Sequence, residues 1–151
     1  MRVPITTLFL DIGGVFLTNG WDYYARRRAQ FRRFMCGQSK PYAEMLGLVA
    51  KLKARYRLKI AVDSNESLEL NAYRVRTFKL DKLVDSFISS CFVHLRKPDA
   101  NIFRLALDIT QAPGRQVLYL ESTPMFVQIP DRHGERKGLI HENQHTYFSY
   151  S

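Results

Sequence analysis

Cysteine is scarce in this chain. Cys36 and Cys91 are the only two, far apart and in neither metal-ligand nor redox spacing. A disulfide framework is excluded as the source of stability, and free thiols in a reducing compartment are expected. Long apolar runs are missing as well: none approaches the roughly 18 residues of a membrane span. The opening MRVPITTLFLDIGG has one arginine and a short apolar run, but Asp11 ends it and no small-residue cleavage site follows. A secretory signal is therefore not expected, and a cytoplasmic location is. Internal repeats and low-complexity segments are lacking. Acidic residues are few, 14 Asp and Glu against 23 Lys and Arg, for a net charge of +9. That balance favours anionic partners such as phosphate esters, nucleic acid or a membrane surface, and it equally suits a basic surface that keeps the protein dissolved.

What is present suffices for one domain. The 151 residues are 46% hydrophobic, enough for a core. LFL at 8–10 reads as a buried strand followed by the turn DIGG, where Gly13 and Gly14 permit conformations that other residues resist. WDYYARRRAQFRRFMC at 21–36 has Trp21, Tyr24, Ala25, Phe31, Phe34 and Met35 near helical spacing, with arginines between them. Pro41 suits the first turn of a second helix, with Met45, Leu48, Val49 and Leu52 as its apolar stripe. LKIAV at 58–62 is a second strand. A third helix is expected from about Ser67 to Phe78, capped by Ser64 or Asn65. DSFISS at 85–90 suggests a short strand, Pro98 opens a helix over PDANIFRLALDIT, and VLYL at 117–120 is the next strand. GLI at 138–140 is a candidate last one.

Strands alternating with helices imply a parallel sheet with helices on both faces. Ligands of such sheets bind beyond the carboxyl ends of the strands. Three strand ends carry polar groups here, namely Asp11, Asp63-Ser64-Asn65 and Glu121-Ser122, and Arg96-Lys97 precede a helix. One pocket can collect them all.

The order and spacing of LFLDIGGVFLTNGW, KIAVDSNES, FISSCFVHLRKPDANIFRLALD and VLYLESTPMFVQ resemble the haloacid dehalogenase-like (HAD) hydrolase superfamily. The resemblance runs from about residue 6 to 141. It implies an α/β fold, a three-layer α/β/α sandwich with a mainly parallel, Rossmann-like sheet. It also implies Mg²⁺-dependent phosphate-monoester hydrolysis through an aspartyl-phosphate. Asp11 would be the nucleophile. Lys97 would offset charge on nucleophile and phosphate, and Ser64 would hold a phosphate oxygen. The amides of Ile12, Gly13 and Asn65 would add hydrogen bonds. The implied metal ligands are Asp11, the Gly13 carbonyl and Glu121, around a magnesium ion that takes oxygen donors at roughly 2.0–2.1 Å.

Three departures from that pattern have physical consequences. Many family phosphatases carry a second Asp two residues after the nucleophile as general acid and base, a role typically worth about 10²–10⁴-fold in rate. Gly13 stands there and has no side chain. Two adjacent Asp residues usually face the metal, where this chain has Glu121-Ser122, so weak metal binding is expected. Asp63 also stands where an apolar residue belongs, either lending a stray carboxylate or pointing away. Finally, only 52 residues separate Asp11 from Ser64, so the cap domain is expected to be absent or truncated. Residues 18–40 read as a shortened cap insertion within a single domain spanning 1–151, and Pro130 interrupts the segment after Glu121.

Two functions follow: a working phosphatase on a phosphorylated substrate, or a catalytically impaired remnant that binds phosphate or a partner. A homo-oligomer covering the capless face, around Trp21 and Tyr24, is a further expectation. The arginines at 26–28 and 32–33 read first as a solvated helix face, with nucleic-acid contact the lesser alternative. His94, His133, His141 and His145 lack paired zinc spacing. The tail HENQHTYFSYS reads as a frayed end or a partner-binding strand.

Overall fold

A computed structural model describes residues 4–18, 28–123, 139–140 and 147–150. Strands β1 (Thr7–Leu10), β2 (Lys59–Ser64), β3 (Ser86–Ser89) and β4 (Val117–Glu121) pair in parallel, in the order β3-β2-β1-β4. Beyond β4 the sheet turns antiparallel. β6 (Tyr147–Tyr150) pairs with β4, and β5 (Leu139–Ile140) pairs with β6 at the edge. The helices are α1 (Arg28–Gln38), α2 (Ala43–Tyr56), α3 (Leu68–Phe78), the short α4 (Ser90–Val93) and α5 (Ala100–Thr110).

Alternation along the strands divides the core in two. Leu8, Leu10, Ile60, Val62 and Leu120 pack toward Val49, Met45, Leu46 and Leu52 of α2. Phe9, Ala61, Ile88, Val117 and Tyr119 pack toward Ile102, Phe103 and Ala106 of α5. A parallel sheet covered on both faces explains the near-continuous apolar runs TLFL and IAV. The expected three-layer α/β/α arrangement is what forms.

Several local expectations need correction. α2 begins at Ala43, two residues after Pro41, because Pro41 bridges to Leu17 instead. Its inward stripe uses Leu46, while Leu48 is exposed. Neither Ser64 nor Asn65 caps α3; the Ser67 hydroxyl does, accepting from the Leu70 amide at 3.4 Å. α5 starts at Ala100 with Asp99 as its cap, accepting from the Asn101 amide at 2.8 Å. Leu139–Ile140 form a strand as expected, yet β6, later in the chain, separates them from β4. Cys36 and Cys91 are free thiols. No helix among the described residues is long and apolar enough to cross a membrane. Trp21, Tyr24, Arg26, Arg27, Pro130, His133, His141 and His145 lie outside the described residues.

Candidate active site

The register of the three central strands builds the site. Leu10 is level with Val62 on one side and Leu120 on the other. Asp11, Asp63 and Glu121 each follow those residues, so they form one row across the carboxyl end of the sheet, facing α5 by alternation. The turn after β3 and α4 brings Lys97 over this row from the α5 side. Its ammonium donates to Asp11 Oδ1 at 3.1 Å, to Glu121 Oε2 at 2.6 Å and to the Asp63 carbonyl at 2.9 Å. It also lies 5.8 Å from the Tyr119 ring centre. Burial alone would depress the lysine pKa, but the carboxylates of Asp11, Glu121 and Asp63 outweigh it and hold it raised. Lys97 is thus a fixed cation.

Burial dominates the acids. Asp11 is pushed up to about 7, the Lys97 charge only partly countering desolvation and the nearby Glu121 adding to it. Asp63 also reaches about 7, for the same leading reason. Its two carboxyl oxygens, fully buried, find no hydrogen-bond partner among the described residues.

Glu121 is fully engaged. Oε2 accepts from Lys97 and from the Tyr119 hydroxyl at 2.7 Å, and Oε1 accepts from the amides of Ser122 and Thr123 at 2.8 and 2.9 Å. Burial and Glu121 together raise the Tyr119 phenol well above its usual value, so it stays a donor. Ser122 Oγ donates to the Gly13 carbonyl at 3.0 Å. Gly14, at φ +86°, lets this happen: a Cβ there would lie 2.0 Å from Ser122 Oγ.

A cavity of about 770 Å³ opens above the row, and Asp11, Gly13, Ser64, Asn65, Arg96 and Lys97 are among its lining residues. Ser64 Oγ is buried and has no partner among the described residues. Asn65 contributes through its side chain, unforeseen from the sequence: it accepts from the Lys97 amide at 2.8 Å and donates to the Lys97 carbonyl at 2.9 Å. That double clamp fixes the segment carrying the ammonium. Ile12 is fully buried in the core, so only its backbone can serve the site. Five of the seven expected site residues therefore line one cavity, while Ile12 and Glu121 lie beneath it.

Sequence reasoning missed a second polar cluster on the cavity wall. Glu66 forms a buried ion pair with Arg74 and accepts from Asn71 at 3.4 Å. Arg74 also donates to Ser39 Oγ at 2.9 Å and to the Thr18 carbonyl at 3.4 Å. It ties α3 to the end of α1 and to the segment after β1. Burial raises the Glu66 pKa despite Arg74. In the sequence, Arg74 looks like any solvated helix arginine. Only its placement at helical spacing from Asn71 and Leu70 hinted at an inward face.

A doubly covered parallel sheet with a lysine-bridged carboxylate at a central strand end defines an α/β protein with its polar site on the carboxyl edge. The chain belongs to the haloacid dehalogenase-like hydrolases, whose family model matches residues 7–125. Among solved structures it resembles a HAD family enzyme from Bacteroides thetaiotaomicron, with a TM-score of 0.67 at 13% identity over 83% of this chain and 88% of that one. The same enzyme in complex with magnesium and inorganic phosphate gives 0.67 at 12% identity, covering 87% and 96%. A dehalogenase gives 0.64 at 16% identity, covering 87% of each chain. Among curated proteins none matches in sequence.

The donors present do not fit the magnesium ion that accompanies phosphate in that relative. Such an ion needs near-octahedral oxygen donors. Here Glu121 has both oxygens taken, the Gly13 carbonyl accepts a hydroxyl, and one Asp11 oxygen is held by Lys97. Among the described residues, no group of three His, Cys, Asp or Glu side chains is arranged to hold a metal ion.

Proposed function

We propose that this hydrolase acts on phosphate monoesters through an aspartyl-phosphate on Asp11. The observation that carries the reading is the buried, unpartnered Ser64 hydroxyl in the same cavity wall as Asp11 and Lys97. A buried hydroxyl without a partner costs roughly 1–3 kcal/mol, and a phosphate oxygen would remove that cost. Lys97 holds Asp11 Oδ1, leaving Oδ2 to attack phosphorus. The P–O bond to the alcohol breaks as the Asp11 O–P bond forms. With Gly13 lacking a side chain, the departing oxygen takes its proton from water. A second water then attacks phosphorus, releasing inorganic phosphate and restoring the Asp11 carboxylate.

Magnesium is the cofactor the family resemblance implies, but two of its three implied ligands, Glu121 and the Gly13 carbonyl, are engaged within the protein. Read as a shortened cap insertion, residues 18–40 would leave the site to be covered by a large substrate or by a second subunit. The alternative, an impaired remnant that binds phosphate or a partner, is favoured by the saturated state of Glu121. Hydrolysis of an aryl phosphate, with wild type compared with Asp11→Asn, separates the two. Turnover lost by at least about 10²-fold in the variant supports the enzyme. Equal rates in two folded proteins would leave the binding reading.

A further inference from the structure

We propose that the protein itself fills the divalent-cation seat of this site, with the Ser122 hydroxyl on the Gly13 carbonyl and Lys97 bridging Asp11 and Glu121, so that a phosphoryl anion is bound without metal. The inference rests on the phosphate reading above and adds what neutralises the anion.

Three independent contacts lead to it. The Gly13 carbonyl, the backbone donor a metal would use, already accepts from Ser122 Oγ at 3.0 Å. That contact is built in, since Gly14 at φ +86° and without a Cβ makes room for the serine side chain. Glu121 is fully buried, carries four hydrogen bonds and lies outside the cavity lining. Releasing it toward the cavity would break four hydrogen bonds at once, two of them from the buried Lys97 ammonium and Tyr119 hydroxyl. Lys97, 1% exposed in its side chain, already stands 3.1 Å from Asp11. A divalent cation would be left Oδ2 alone of Asp11, beside that ammonium.

Among the described residues of the cavity wall, Arg96 and the Ser64 hydroxyl can meet an anion directly, beside the charge of the engaged Lys97 ammonium. Arg96 is exposed and its planar fork can swing onto a phosphate oxygen pair. Of the neighbouring charges, Glu66 is paired with Arg74, and the single Lys97 charge is shared by Asp11 and Glu121.

Thermal unfolding of the full chain tests this, using magnesium alone, inorganic phosphate with a chelator, and inorganic phosphate with magnesium. Saturating phosphate should raise the Tm by roughly 5 °C or more, equally with chelator and with magnesium, and magnesium alone should leave it unchanged. A rise with magnesium alone, or a phosphate effect that needs magnesium, overturns the inference and leaves the phosphatase reading standing. No rise with phosphate under any condition overturns the phosphate reading and this inference with it. Ser122→Asp puts a carboxylate where the hydroxyl sits and should gain a magnesium-dependent rise. If the folded variant responds to magnesium no more than wild type, Ser122 is not what fills the seat. The wild-type comparison decides the inference on its own if that variant fails to fold.

Discussion

Asp63 sets a carboxylate, with both oxygens unpartnered, into the sealed end of β2. Unfolded, it titrates near 3.8; folded, burial pushes it to about 7, with Lys97 opposing and Glu121 reinforcing the shift. A folded pKa above the unfolded one means that the folded state binds the extra proton. The stability Asp63 contributes is therefore present below about pH 4 and is lost as pH rises through 7. At 1.36 kcal/mol per unit, the loss is on the order of a few kcal/mol. Asp63→Asn is expected to raise the Tm at pH 8 and to change it little at pH 4. Thermal melts at the two pH values check this, and an equal shift at both would contradict the linkage. The sequence showed that Asp63 was out of place, but not why it is tolerated. Lys97 reaches the Asp63 carbonyl, not its carboxylate, a distinction that only the folded geometry makes.

The turn DIGG and the end of β4 are separate elements that the Gly14–Ser122 approach locks together. Gly14→Ala meets two penalties. A left-handed φ costs an L-residue roughly 1–2 kcal/mol, and the new Cβ collides with Ser122 Oγ and Cβ at 2.0 and 2.4 Å, an overpacking cost of about 1–3 kcal/mol. Chemical denaturation should show Gly14→Ala destabilised by a few kcal/mol. Ser122→Gly in the same chain should restore the collision part and not the φ part. A double variant no more stable than Gly14→Ala alone would contradict that division. Elements of this kind were well legible: β1 to β4 and α2, α3 and α5 follow apolar runs, stripes and turn signals in chain order. Cap positions were less so: Ser64 or Asn65 was expected, and Ser67, expected as the first helical residue, is a comparable cap former three residues on. Ser67 wins since β2 continues through Ser64, leaving that hydroxyl to the cavity. The four-residue α4 is too short for periodicity to register.

At the scale of the molecule, the order of four motifs along the chain foretold the sheet, and the sheet's register assembled the site. Asp11, Ser64 and Asn65 were legible because strand ends in a parallel sheet converge, whereas the roles of Gly13 and Lys97 came from the family resemblance. What escaped reading was side-chain partnership across long sequence separations. Asn65 clamps Lys97, Tyr119 braces Glu121, and Arg74 reaches Ser39 and Thr18. None of these pairs leaves a local pattern. Within the tail, read as either frayed or partner-binding, Tyr147–Tyr150 pair antiparallel with β4 of the same chain, covering an edge that four parallel strands alone would leave open.

The proposed reaction requires that Asp11 become covalently phosphorylated. Acid quenching during turnover of an aryl phosphate, followed by peptide mass analysis, tests it most directly. The expected result is one phosphoryl group on the peptide that contains Asp11, missing in Asp11→Asn. Steady turnover with no phosphoryl on that peptide, or with the group on another residue, would contradict the account.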